Sequence, residues 1–170
     1  MPLRLSAAAL LAALASCAPA SGQAGHLPPT HSAIVYETGP CFGTCPVYRV
    51  ELLSNGAGTF TGERFTAVTG ERRFEISPAQ YRAFAARLAP HRPDGELTIS
   101  HGHPRCGLAA TDMPSATVTW REQAGVDRLS YYYGCRGPGN EALAEALREA
   151  PGMLPIGEFI GSPGMERLPR

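Results

Sequence analysis

Eight residues, Cys41 to Tyr48, read C-F-G-T-C-P-V-Y and set two thiols four positions apart around a glycine. Such a pair can close a disulfide, exchange with another thiol or take a soft metal such as copper, since the thiolate is both nucleophile and ligand. A second group, His101-Gly102-His103-Pro104-Arg105-Cys106, offers two imidazoles and a thiol in compact spacing. His101, His103 and Cys106 are therefore candidate zinc or copper ligands, without a matching second ligand pair. Asp112, in the turn Thr111-Asp112-Met113-Pro114, is a carboxylate whose setting suits local backbone capping better than acid catalysis. No G-x-S-x-G, H-E-x-x-H or phosphate loop occurs, so no catalytic residue and no cofactor is assigned.

The segments that must position these residues alternate between extended and helical patterns. Ile34-Val35-Tyr36 reads as a short strand running into Gly39-Pro40 and the cysteine motif. After the motif, Tyr48, Val50 and Leu52 alternate with Arg49 and Glu51, the period of a half-buried strand. Asn55-Gly56 is a hairpin signal, Thr59 to Gly62 the returning strand, and Glu71 to Ile76 a third meander strand. Ser77-Pro78-Ala79-Gln80 carries an N-cap serine, a proline at the first helical position and a capping-box glutamine. Tyr81, Phe84, Ala85 and Leu88 then form one apolar stripe, and Pro90 and Pro93 stop the helix. Residues 91–113 are polar, turn-rich and read as irregular. Ala116 to Arg121 and Val126 to Tyr133 form a second hairpin, and Asn140 to Ala150 a second helix. Tyr131, Tyr132 and Tyr133 must point to alternate faces, which makes an exposed aromatic contact surface available there. The expectation is an α+β fold: an antiparallel sheet of about five strands in the order β-β-β-α-β-β-α, two helices, and disulfide staples.

The chain has 170 residues, of which 44% are hydrophobic and 18% charged, as in a globular domain. Its formal net charge is zero and it shows no basic block, so nucleic acid is not an expected partner. Arg4 followed by the apolar run Leu5 to Leu14 has the form of a signal peptide, too short to span a bilayer. That run ends in Leu14-Ala15-Ser16-Cys17, which resembles a bacterial lipobox, whose cysteine is acylated and becomes the first residue after cleavage. The expected organisation is a signal peptide at 1–16, a lipidated Cys17 with a flexible tether at 17–32, one domain at 33–161 and a disordered tail at 162–170. The membrane, reached through the lipid anchor, is the expected partner, with an unidentified envelope protein as a further one. Ala18 follows the cysteine where an Asp would favour inner-membrane retention, so the outer membrane is the expected location in preference to the inner.

Outside the membrane, Cys41, Cys45, Cys106 and Cys135 are an even set in an oxidising compartment. Three pairings are open, and 41 with 45 plus 106 with 135 is the one favoured. A Cys106–Cys135 bond closes a loop of about 30 residues and is worth on the order of 3.5 kcal/mol by loop entropy, whereas a five-residue ring is worth only ~2 kcal/mol. The small ring also needs a sharp turn at Gly43, because an extended chain would hold its Cα atoms roughly 13 Å apart. A short exposed ring of that sort can be reduced and re-formed, which keeps Cys41 and Cys45 as redox candidates.

On the C-F-G-T-C-P-V-Y motif, the N-G-x-G hairpin at Asn55 to Gly58 and the T-D-x-P turn at Thr111 to Pro114, residues 34 to about 160 resemble bacterial domain of unknown function family 6438. The resemblance implies a small α+β domain on exported or lipid-anchored proteins and brings no activity or catalytic residues. C-x-x-x-C-P also resembles the motif of Sco-type copper-assembly and thiol proteins, where it opens a helix whose positive end lowers the thiol pKa. Here Pro46-Val47-Tyr48-Arg49-Val50 reads as strand instead. The functional expectation is an exported lipoprotein whose domain is a non-catalytic binding or structural module of the envelope. The alternative is a thiol-redox or copper-handling protein acting through Cys41 and Cys45.

Overall fold

The computed structural model describes residues 31–161. The expected signal peptide, the Cys17 anchor, residues 17–30 of the tether and the 162–170 tail lie outside the described residues. Seven strands form one sheet: β1 (Ala33–Thr38), β2 (Val47–Leu53), β3 (Ala57–Arg64), β4 (Gly70–Glu75), β5 (Glu96–Ile99), β6 (Ser115–Glu122) and β7 (Gly125–Tyr132). Their spatial order is β4-β3-β2-β1-β6-β7-β5. All neighbours are antiparallel except β5 and β7, which run parallel.

The sheet therefore corrects the five-strand, wholly antiparallel expectation in two places. The short Ile34–Tyr36 run is the core of the central strand β1, paired with β2 on one side and β6 on the other. Burial on both faces explains why it reads as a continuous apolar run rather than an alternating one. The second correction is β5, four residues inside the stretch read as irregular. Its position depends on Asp127 of β7, whose carboxylate accepts the Gly95 amide at 2.9 Å and the Arg92 guanidinium at 2.6 Å. That tertiary tie leaves no local pattern.

Among the described residues three α-helices accompany the sheet: α1 (Pro78–Leu88), α2 (Glu141–Glu149) and the single turn α3 (Gly157–Ile160), with 3-10 turns at Ala89–His91 and Ala150–Met153. The capping box is formed, Ser77 Oγ accepting from the Gln80 amide while the Gln80 side chain accepts from the Ser77 amide. Phe84 and Leu88 of α1 and Leu143 and Leu147 of α2 join Tyr36, Val50, Phe60, Val118 and Leu129 in one core. The register puts those strand residues in one row, Leu129–Val118–Tyr36–Val50–Phe60. Each fully buried Leu, Phe or Val is worth about 1.5–3 kcal/mol, so this row and the two helices carry the fold. The opposite sheet face is polar, with Glu51 between Arg49 at 2.6 Å and Arg121 at 3.3 Å. Two layers result, helices on one face and ion pairs on the other. Among the described residues no helix is long and apolar enough to cross a membrane.

Candidate functional site

Cys41 and Cys45 are bonded, with Cα atoms 5.7 Å apart. Gly43 makes the turn at φ 145°, a backbone state that residues with a side chain rarely adopt. Phe42, Gly43 and Thr44 are exposed, Phe42 to 88%. The ring is fastened at both ends. Thr38 Oγ1 donates to the Pro46 carbonyl at 2.8 Å and accepts the Tyr48 amide at 3.0 Å, while the Phe42 amide donates to the Asp112 carbonyl at 3.2 Å. Pro46 leads into β2, so neither sulfur stands at a helix N-terminus and the dipole that would lower a thiol pKa is absent.

The second bond, Cys106–Cys135, spans 29 positions with Cα atoms 4.3 Å apart, and both cysteines are buried. Around it the chain runs antiparallel to the end of β7: Gly137 donates to the Cys106 carbonyl, Ala110 to that of Gly134, and Ala109 bridges Cys135. With its sulfur bonded, Cys106 is no metal ligand, which corrects its candidacy with His101 and His103. The two histidines are also differently engaged. His101 packs on Tyr132 with ring centroids 4.9 Å apart, and His103 Nδ1 accepts the Arg105 amide at 3.1 Å. Among the described residues no group of three His, Cys, Asp or Glu side chains is placed to hold a metal ion.

Asp112 has φ 67°, a left-handed state that Asp tolerates, and its carboxylate accepts the Thr111 hydroxyl at 3.1 Å. The turn is held from below by Tyr132, whose hydroxyl accepts the Met113 amide at 3.2 Å and donates to the Ala110 carbonyl at 3.0 Å. Two of the motifs quoted above, remote in sequence, thus meet at one end of the sheet.

Beside that meeting point lies a groove of about 570 Å³. Its walls are Met113 and Pro114 of the turn, Tyr131, Tyr133 and Cys135 at the end of β7, and Asn140, Glu141, Ala144 and Arg148 on and before α2, with Arg136 and Gly137 between. Tyr131 is buried and donates to the Cys135 carbonyl at 2.6 Å. Tyr133 meets it edge-on, ring centroids 5.4 Å apart, and carries the Arg148 guanidinium over its face at 5.5 Å. Burial pushes the Tyr133 phenol above its ordinary range, against the lowering influence of the Tyr36 hydroxyl and Arg148. Of these residues the tyrosine run, Cys135 and the Met113-Pro114 turn stood out in the sequence; Arg136 and Arg148 carry no motif.

Fold and site together define a two-layer α+β domain, stapled by two disulfides, with a groove at the end of its sheet. The chain belongs to the family described as domain of unknown function (DUF6438), whose model matches residues 32–151. No curated protein matches it.

Proposed function

We propose that the protein is an exported bacterial lipoprotein, held at the membrane by acyl chains on Cys17, whose domain is a non-catalytic binding module of the cell envelope. The Leu14-Ala15-Ser16-Cys17 sequence supports the anchor, and Ala18 supports the outer membrane as its destination. The groove supports the binding role. Its lining is aromatic and aliphatic carbon with two guanidinium groups, and its one cysteine sulfur is already bonded to Cys106.

The rival reading, thiol-redox or copper handling by Cys41 and Cys45, has the exposure of the ring in its favour and the strand that follows it against it. Free-thiol counting on the purified protein, with and without a mild dithiol, together with metal analysis separates the two. A fully oxidised, metal-free protein is the expected result. Stoichiometric copper, or a Cys41–Cys45 bond reduced far more readily than Cys106–Cys135, would put the rival in its place.

A further inference from the structure

The charges at the groove are unequal: its lining holds two arginines, Arg136 and Arg148, and one carboxylate, Glu141. Arg136 and Arg148 are both exposed on the groove and, like Arg64, Arg72, Arg73, Arg82, Arg105 and Arg128, form no ion pair among the described residues, so each guanidinium is open to an anion there. The one carboxylate there, Glu141, has a helical role. Asn140 gives α2 no side-chain cap, because its amide donates to the Arg105 carbonyl at 2.7 Å and accepts the Arg105 guanidinium at 3.3 Å. Glu141 in the first turn then balances the positive helix end.

Arg148 lies in the last turn of α2, where a cation is favoured, but its guanidinium also covers Tyr133. Arg136 has no such helical reason. Its backbone is held between Cys135 and Gly137, beside the Cys106–Cys135 bond and the Gly137 amide to Cys106 carbonyl hydrogen bond at 2.9 Å. A planar guanidinium presents paired N–H donors that match a carboxylate, and the same groove is lined by Tyr131 and Tyr133. The volume lies within the range of small-ligand clefts.

We propose that the groove receives a small amphiphilic carboxylate, its apolar body on Tyr131, Tyr133 and Met113 and its carboxylate on Arg136 and Arg148. This rests on the groove being the binding surface of the module.

The test is an amide chemical-shift titration of the full chain carrying Cys17→Ser, with octanoate, octanol and octylammonium as probes. Octanoate should shift amides at Tyr133, Arg136, Gly137 and Ala144 and bind roughly ten-fold more tightly than octanol, the value of one charge-assisted hydrogen bond, with octylammonium weakest. Arg136→Gln with Arg148→Gln should abolish that preference and leave octanol unaffected, while Glu141→Gln should tighten octanoate. Should the double variant not fold, Arg136→Gln alone, at an exposed loop position, must weaken octanoate selectively. Equal binding of octanoate and octanol in the groove, unchanged by these variants, overturns the carboxylate and leaves the groove. No groove shift with any probe overturns both.

Discussion

The amide of Phe42 donates to the carbonyl of Asp112, 3.2 Å away, so the disulfide ring leans on the turn whose Met113 and Pro114 wall the groove. Removing the ring by Cys41→Ala with Cys45→Ala should therefore change the groove wall more than it changes stability. Loop entropy gives the bond ~2 kcal/mol before strain, against about 3.5 kcal/mol for Cys106–Cys135, whose removal also opens the core. Urea unfolding of the two double variants measures the difference. Comparable losses would mean that the ring carries structure that its size does not explain.

The Tyr36 hydroxyl donates to the Leu147 carbonyl at 2.7 Å, a buried bond between the central strand and the last full turn of α2. Tyr36→Phe leaves that carbonyl without its partner and should cost about 1–3 kcal/mol, measured as a lower unfolding midpoint at unchanged slope. An unchanged midpoint would show that α2 is held by apolar contact alone.

The pH dependence of stability should fall away at both ends. The Gly95 amide and then Arg92 hold the Asp127 carboxyl below its ordinary range, and Arg92 does the same for Glu122. Carboxyls lowered in the folded state contribute stability that is complete above their unfolded values near pH 4 and lost as pH falls through the folded ones. Asp127→Asn should flatten that acid limb in a melting-temperature profile. At the alkaline end, burial raises the phenols of Tyr36, Tyr48 and Tyr133. Their contribution is complete below the unfolded value near pH 10 and lost above it, so tyrosinate absorbance and unfolding should rise together. Tyrosines that ionise in the intact fold near pH 10 would contradict the buried cluster.

Where local chemistry decides, the chain could be read directly. Ser77 and Gln80 form the capping box that their spacing announces, and Ser77→Ala should cost about 1 kcal/mol by thermal unfolding, with no change as the contrary result. Asn55-Gly56 makes its hairpin between β2 and β3, the Gly56 amide donating to the Leu53 carbonyl at 2.9 Å. β5 escaped because Glu96–Ile99 is fixed through Gly95 by Asp127, 32 residues beyond that glycine, and pairs in parallel with β7 rather than through a turn. The groove escaped for the same reason. Arg136 and Arg148 become neighbours of one cavity only when Cys106–Cys135 and α2 fold back over β7, and neither residue has a distinctive local setting.

Lipidation of Cys17 is the claim on which location, tether and partner all depend, and metabolic labelling with a tagged fatty-acid analogue tests it most directly. The wild-type chain should carry the label and sediment with membranes, and the Cys17→Ser chain should carry none and lose its stable membrane attachment. An unlabelled wild-type chain, or a Cys17→Ser chain still held in the membrane fraction, would contradict the anchor.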